Sequence, residues 1–357
     1  MKSEISRYFF QMVKINSESG EEQNFLQFLS ELFEKELNAQ TVFDNYGNLI
    51  IKIKAKNSDK KEPILFCCHG DTVNPGKEIE PELKDGIICS RGDTVLGADD
   101  KAGITEILVA LKESSQHPPV EILITRQEEM GLSGSSCLDE KLISAKNGYV
   151  IDTEALDEII VGGPTRIEIT IKVIGKAAHA VEPQNGISAI EVAANGISLL
   201  KTGWIDPETT VNVGLIEGGH VLNAVPEKAT IQIECRSQKH QKCLQQSNLI
   251  KKTFQTVARA KGAKVEIETN MGIKAYSISE NEDVVKVAKK AIQSAGLKPQ
   301  TKIICGGTDA TNLNAKGIKT AVLGTGGKLP HSKDENIAIK DMEKAVEICK
   351  GILKEYS

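Results

Sequence analysis

The sequence predicts an α/β fold: a mostly parallel sheet with helices on both faces, carrying an inserted ferredoxin-like α+β domain. Three observations lead there. Between Asn48 and Asp152, short apolar β-rich runs alternate with helical periodicities, the pattern of a largely parallel sheet. From Thr165 the pattern changes to strict apolar–polar alternation, as in a strand with one solvated face. After about Ile278 the first pattern returns.

The elements follow in order. Ile5, Tyr8, Phe9, Met12 and Val13 recur at helical spacing and open the chain with an amphipathic helix. Ser19 with Glu22 reads as a capping box for a second helix through Phe25, Leu29 and Phe33. The runs NLIIKIKA and PILFCCHGD read as strands, followed by a helix from Lys101 to Ser114. Strand VEILITR, a helix near Ser135–Leu142 and strand GYVID complete this stretch. In the insertion, RIEITIKVIGK, a helix over 187–200, TTVNVGLIEGG, KATIQIECRS, a helix over 241–261 and KVEIETN give the β-α-β-β-α-β order of a ferredoxin-like unit. A helix over 283–295 and strand KTAVLG then resume the larger domain. The predicted division is 1–164 with 277–357 for the larger domain and 165–276 for the insertion.

Composition narrows the function. A chain of 357 residues, 40% hydrophobic and 26% charged, reads as a two-domain globular protein. A net charge of −5 and 4% aromatic residues argue against nucleic acid and anionic membrane as partners. The N-terminus has no uninterrupted apolar core, so no secretory signal is expected, and no run is long enough to span a bilayer. The eight cysteines are scattered without a CxxC, most of them in apolar runs, which fits a reducing cytoplasm.

The chemistry-bearing residues gather at the predicted carboxyl ends of strands, where α/β sheets bind ligands. His69 and Asp71 end ILFCCHGD, two apart on a strand and so facing the same way. Asp99 and Asp100 precede a helix in LGADDKAG, where Asp100 can also serve as the N-cap. Glu128 and Glu129 follow ILITR, Asp152 ends YVID, and His331 lies in LPHSKDE. Imidazoles with carboxylates suit zinc, cobalt or manganese. Two imidazoles and three carboxylates fill two sites only if one carboxylate bridges, and an unligated acid must then take a proton from water. Glu128 and Glu129 can divide those tasks as base and ligand. His117, His220 and His240 read as ordinary exposed residues. GLSGS after Glu129 fits neither a phosphate loop nor a nucleophile elbow; its glycines are expected to let the chain pass close to the ions.

HGDTV, GADDKAG, EEMGLSG, the Asp152 strand end, GKAAHA, NAVPEKA, GGTDA and PHSKDE occur in the order and spacing of the M20 metallopeptidases. Over essentially the whole chain the sequence resembles that family, in particular its peptidase T-like tripeptidases, which share a di-zinc exopeptidase-like fold. The resemblance implies that His69, Asp99 and Asp152 hold one ion and that Asp99, Glu129 and His331 hold the other, with Asp99 bridging. It implies Glu128 as general base, Asp71 as acceptor for the far ring nitrogen of His69, and a cis peptide at Asp99–Asp100. His179 in GKAAHA would stabilise the oxyanion, and Asn223 and Arg236 would hold the polar ends of the substrate. Where many tripeptidase relatives carry arginine before GGTD, this chain has Cys305. The expected activity is removal of the N-terminal residue from short peptides by a cytoplasmic enzyme with two divalent ions, zinc before cobalt or manganese. It would act as a homodimer through the inserted lid domain. Hydrolysis of N-acyl amino acids or dipeptides, or a non-catalytic binding module, are the alternatives.

Overall fold

The strand Ile64–His69 is buried at every position, as expected of an apolar run in the middle of a covered sheet. The computed structural model describes residues 3–357, so Met1 and Lys2, within the predicted first domain, lie outside the described residues. The chain divides into two compact units. The first comprises residues 1–162, 277–303 and 307–357; the second comprises 163–276 and 304–306.

In the first unit a nine-stranded sheet runs in the order 40–43, 49–53, 120–125, 64–69, 147–153, 319–324, 158–163 and 276–277, with 300–303 also paired to 158–163. Strand 64–69 is parallel to both 120–125 and 147–153, and 319–324 is parallel to 147–153. The sheet is mixed rather than mostly parallel: 40–43 with 49–53, 49–53 with 120–125, and 319–324 with 158–163 are antiparallel. A tight link gives the first reversal its direction, because parallel neighbours need a long crossover. There the carboxylate of Asp44 accepts the N–H groups of Tyr46, Gly47 and Asn48, each at 2.9 Å. Helices Glu4–Val13, Ala98–Glu113 and Ile339–Glu355 pack against one another.

One local expectation changes. Helix Gln23–Leu37 has no side-chain cap. Ser19 Oγ instead donates to Asp71 at 2.7 Å, and the buried Glu22 binds Arg126 Nη2 at 2.8 Å and the Gly20 N–H at 2.7 Å. A smaller four-stranded sheet, in the order 327–328, 336–338, 87–90 and 81–84, was not legible in the sequence. Its strands are too short to show a period.

The second unit is a five-stranded antiparallel sheet in the order 203–206, 209–218, 228–237, 165–174 and 264–273, with helices Ala189–Ser198 and His240–Lys261. The β-α-β-β-α-β order is present with one added edge strand, 203–206. Along Thr165–Ile174 buried and more open positions alternate, and Ile167, Ile169, Ile171 and Val173 join Ile231, Ile233 and Phe254 in one core. Gly196 lets the two helices close up: a Cβ there would lie 2.4 Å from the Phe254 ring. Among the described residues, no helix is long and apolar enough to cross a membrane.

Candidate metal centre

The centre is built on the carboxyl ends of three parallel neighbours in the first unit. His69 is the last residue of its strand and pairs with Thr125, so the chain leaving Thr125 brings Glu128 and Glu129 alongside. Asp152 lies near the end of strand Asn147–Thr153 on the other side. Asp99 stands at the start of helix Ala98–Glu113, where φ −82° and ψ 101° depart from the helix; the Asp99–Asp100 peptide is cis. His331, at φ 60°, lies in the loop between strands 327–328 and 336–338.

His69, Glu129, Asp152 and His331 meet around Asp99. Its Oδ1 lies 2.9 Å from His69 Nε2 and its Oδ2 lies 3.2 Å from His331 Nε2. Glu129 Oε1 is 2.7 Å from His331 Nε2, and Asp152 Oδ1 is 3.6 Å from His69 Nε2. Donor atoms converge in two groups, His69–Asp99–Glu129 and His69–Asp100–Asp152, each with its atoms within 4.8 Å of one another. Asp100 therefore belongs to the cluster and does not cap the helix. Its Oδ2 accepts the His69 N–H at 3.2 Å, and its Oδ1 has no hydrogen-bond partner.

The electrostatics are those of buried acids short of cations. Burial works against a charged His69, but Asp152, Asp71 and Asp99 outweigh it and hold the ring well above its ordinary pKa. Asp99 and Glu129 push His331 up to about 10. For Asp99, burial is outweighed by His331 and His69, which hold its carboxyl well below the usual range. Burial, aided by the neighbouring Asp99, raises Asp152 to about 7 against the pull of His69. Burial and then Asp152 push Glu128 well above its ordinary value, and Asp100 is raised the same way. Converging nitrogen and oxygen donors among carboxyls that cannot all ionise without more positive charge fit divalent ions of the zinc, cobalt or manganese type.

The supporting contacts are equally specific. His69 Nδ1 is 2.9 Å from the backbone carbonyl of Asp71 and 3.5 Å from its carboxylate. The nearer acceptor is thus the main chain, not the side chain expected from the sequence. The Asp71 carboxylate is turned to the amides of Glu128 and Glu129 at 2.9 and 3.2 Å. Gly103 lets the helix approach: a Cβ there would lie 2.6 Å from both Asp100 Oδ1 and the Ile151 carbonyl. Gly134 crowds the backbone of Arg126, where a Cβ would come within 2.3 Å of the carbonyl, so this glycine of GLSGS serves chain packing rather than passage by the ions.

Asp309 and Glu335, both inside the motif blocks, were given no role by the sequence. Asp309 of GGTDA is buried and accepts from Thr125 Oγ1 at 2.5 Å, with its Oδ1 unpartnered. Glu335 of PHSKDE is buried, and its carboxylate accepts the N–H groups of Leu96, Gly97 and Asp99 at 2.7, 2.8 and 2.9 Å. Their place within motifs was the only available signal.

In the second unit, His179 and Asn223 are both exposed and are neighbours. Ala178–His179 pairs with Ala224–Val225, and the Asn223 carbonyl accepts the Ala180 N–H at 3.0 Å. Arg236 is half-buried and already engaged: Nε and Nη2 reach the two oxygens of Glu234 at 2.6 and 3.0 Å, and Nη1 reaches the Cys305 carbonyl at 3.3 Å. His220 is exposed as expected. His117 is buried, with Nδ1 2.7 Å from the Pro118 carbonyl, and the half-buried His240 lies 3.0 Å from Thr165 Oγ1. The two prolines after His117 and the helix start at His240 hide both from an exposure estimate by type.

The sequence profile described as peptidase family M20/M25/M40 matches residues 65–355. An aminopeptidase PepT from Bacillus cereus is 35% identical, covers 99% of this chain and 98% of its own, and superposes with a TM-score of 0.90. A tripeptidase from Staphylococcus aureus is 32% identical over 99% of this chain and 97% of its own, with a TM-score of 0.94. Peptidase T of Fusobacterium nucleatum is 26% identical, covering 99% of this chain and 97% of its own length.

Proposed function

The chain belongs to peptidase family M20/M25/M40, and from that premise we propose that it is a metal-dependent aminopeptidase releasing the N-terminal residue of tripeptides. The observation that carries this reading is the meeting of His69 and His331 on opposite oxygens of Asp99, at 2.9 and 3.2 Å, in a chain similar throughout to a tripeptidase and an aminopeptidase.

His69, Asp99 and Asp152 would hold one ion and Asp99, Glu129 and His331 the other, with Asp100 supporting His69 from behind. Two divalent ions bound there supply Lewis-acid activation of a water and of the scissile carbonyl. Glu128 takes the proton of the attacking water and delivers it to the departing amine, so the carbonyl gains a hydroxyl and the peptide nitrogen leaves as an amine. Asp71 keeps the Glu128 and Glu129 backbones in place.

His179 is assigned to the oxyanion and Asn223 to the substrate's polar end on the family resemblance. Arg236 is retained as a substrate contact only through exchange of its partner Glu234. Zinc as the resident ion, a cytoplasmic location, the lid role of the second unit and a homodimer through it are parts of the same proposal.

The test is hydrolysis of Ala-Ala-Ala, Ala-Ala and N-acetyl-methionine by purified protein, with and without a chelator and added zinc or cobalt. Chelator-sensitive release of the N-terminal residue from the tripeptide supports the reading. Cleavage of the acyl amino acid in its place would make the protein an amidohydrolase. No turnover with both ions bound would make it a binding module.

A further inference from the structure

We propose that Glu335 is the positioning residue for the bridging carboxylate, fixing Asp99 and His331 relative to each other through the backbone rather than by touching an ion. The inference rests on the reading of Asp99 as the bridge. Three main-chain donors converge on this one side chain: Oε2 accepts from Leu96 and Gly97 at 2.7 and 2.8 Å, and Oε1 accepts from Asp99 itself at 2.9 Å. Those amides belong to an irregular segment that regular structure cannot satisfy. Gly97 is left-handed at φ 70°, and Asp99 and Asp100 leave the helical region. The N-cap residue, Gly97, supplies no side-chain cap of its own. Without Glu335 the segment that presents Asp99 would have buried N–H groups and no acceptor.

The same residue belongs to the loop that presents the other imidazole. His331 and Glu335 lie between strands 327–328 and 336–338, and the Glu335 N–H returns to the Ser332 carbonyl at 3.2 Å. A buried carboxylate rooted in the His331 loop therefore grips the backbone of the Asp99 segment, beside the place where the two side chains meet at 3.2 Å. Asp99 faces both imidazoles, so a shift of its backbone displaces a donor of both sites at once. Loss of the Glu335 contacts should weaken both ions together, whereas loss of a ligand to one site weakens that ion first.

The experiment titrates cobalt(II) into the metal-free full-length protein, reading stoichiometry, affinity and the visible absorption band, for wild type, Glu335→Gln, Glu335→Asp and Asp99→Asn. Glutamine keeps the volume but turns an N–H₂ donor toward a donor. Aspartate keeps the charge but shortens the reach. The expected result for both Glu335 variants, with wild-type circular dichroism, is a roughly 10- to 100-fold loss of affinity at both sites and a changed cobalt band. The drop in kcat should exceed any change in KM. Wild-type affinity in a folded Glu335 variant, alongside lost affinity in Asp99→Asn, would overturn the positioning role and leave the bridge intact. Wild-type binding of two ions by Asp99→Asn would instead overturn the bridge on which the inference stands. If the glutamine variant does not fold, the aspartate variant decides by the same criterion.

Discussion

Asp71 carries Glu128 by its backbone: Oδ1 accepts the Glu128 N–H at 2.9 Å, while Oδ2 accepts Glu129 N–H at 3.2 Å and Ser19 Oγ at 2.7 Å. One buried side chain thus aligns the proposed base and an adjacent ligand. Asp71→Asn puts an N–H₂ group against one of those amides. We expect kcat to fall about 10- to 100-fold with both ions still bound, as read by steady-state kinetics beside metal analysis. Unchanged kcat would show that the strand alone fixes Glu128.

Glu128→Gln removes the proton carrier while keeping shape. Turnover of Ala-Ala-Ala should drop by a factor of about 10² to 10⁴, and the metal content should stay that of wild type. Near-wild-type turnover in a variant with full metal occupancy would reject Glu128 as the base.

Metal removal should destabilise the first unit, because Asp99, Asp152 and Glu129 crowd around two imidazoles. An ion at about a hundred times its dissociation constant adds about 2.7 kcal/mol of stability. Melting curves recorded with chelator and at rising zinc should separate accordingly. Coincident curves would contradict a resident ion.

Gly103→Ala should be destabilising out of proportion to one methyl group. The new Cβ would lie 2.6 Å from Asp100 Oδ1 and from the Ile151 carbonyl, and 3.1 Å from Cys68 Sγ. Overpacking of this kind costs about 1–3 kcal/mol, and here it also displaces the helix that carries Asp99. Denaturant unfolding of the metal-free protein measures the first effect and ion affinity the second.

Glu106 is fully buried with neither carboxylate oxygen hydrogen-bonded, and burial raises its pKa well above the ordinary 4.5. Between 4.5 and the folded value, the folded chain keeps a proton that the unfolded chain has released, so stability falls as pH rises. Glu106→Met removes that loss and an unsatisfied polar group worth about 1–3 kcal/mol. The variant should melt higher than wild type, by a margin that widens as pH rises above the ordinary carboxyl value of 4.5. A constant margin would place the effect in packing alone.

The strand ends were the legible part of this site. His69, Glu128, Glu129 and Asp152 follow apolar runs whose length and flanks mark strands, so their common edge could be read before any coordinate. Asp99 and His331 join them in space, a meeting legible only through the resemblance of the motifs GADDKAG and PHSKDE and not through strand or helix patterning. The illegible part is wherever a side chain serves a distant backbone. Ser19 and Glu22 look like a capping box, yet Ser19 binds Asp71 and Glu22 binds Arg126. Glu335 looks like one more acid in a polar loop, yet three amides converge on it. Arg236 is recognisable as a strand-end arginine, but its occupation by Glu234 depends on side-chain conformation. The mixed sheet was missed because the order of strands in space is not their order in sequence.

That spatial order bears on biogenesis. Strands 147–153 and 158–163 are joined by a short link, yet they do not pair with each other; strand 319–324 lies between them, parallel to one and antiparallel to the other. As the polypeptide emerges from the ribosome, the first two strands of this trio are out long before the third, which leaves their facing edges, and the slot between them, open to local mispairing until it arrives. Asp152 stands on one wall of that slot, and His331 follows the strand that fills it. Residues 319–331 therefore both fill the slot in the sheet and carry His331 to the cluster, so seating that strand and completing the donor set are one event.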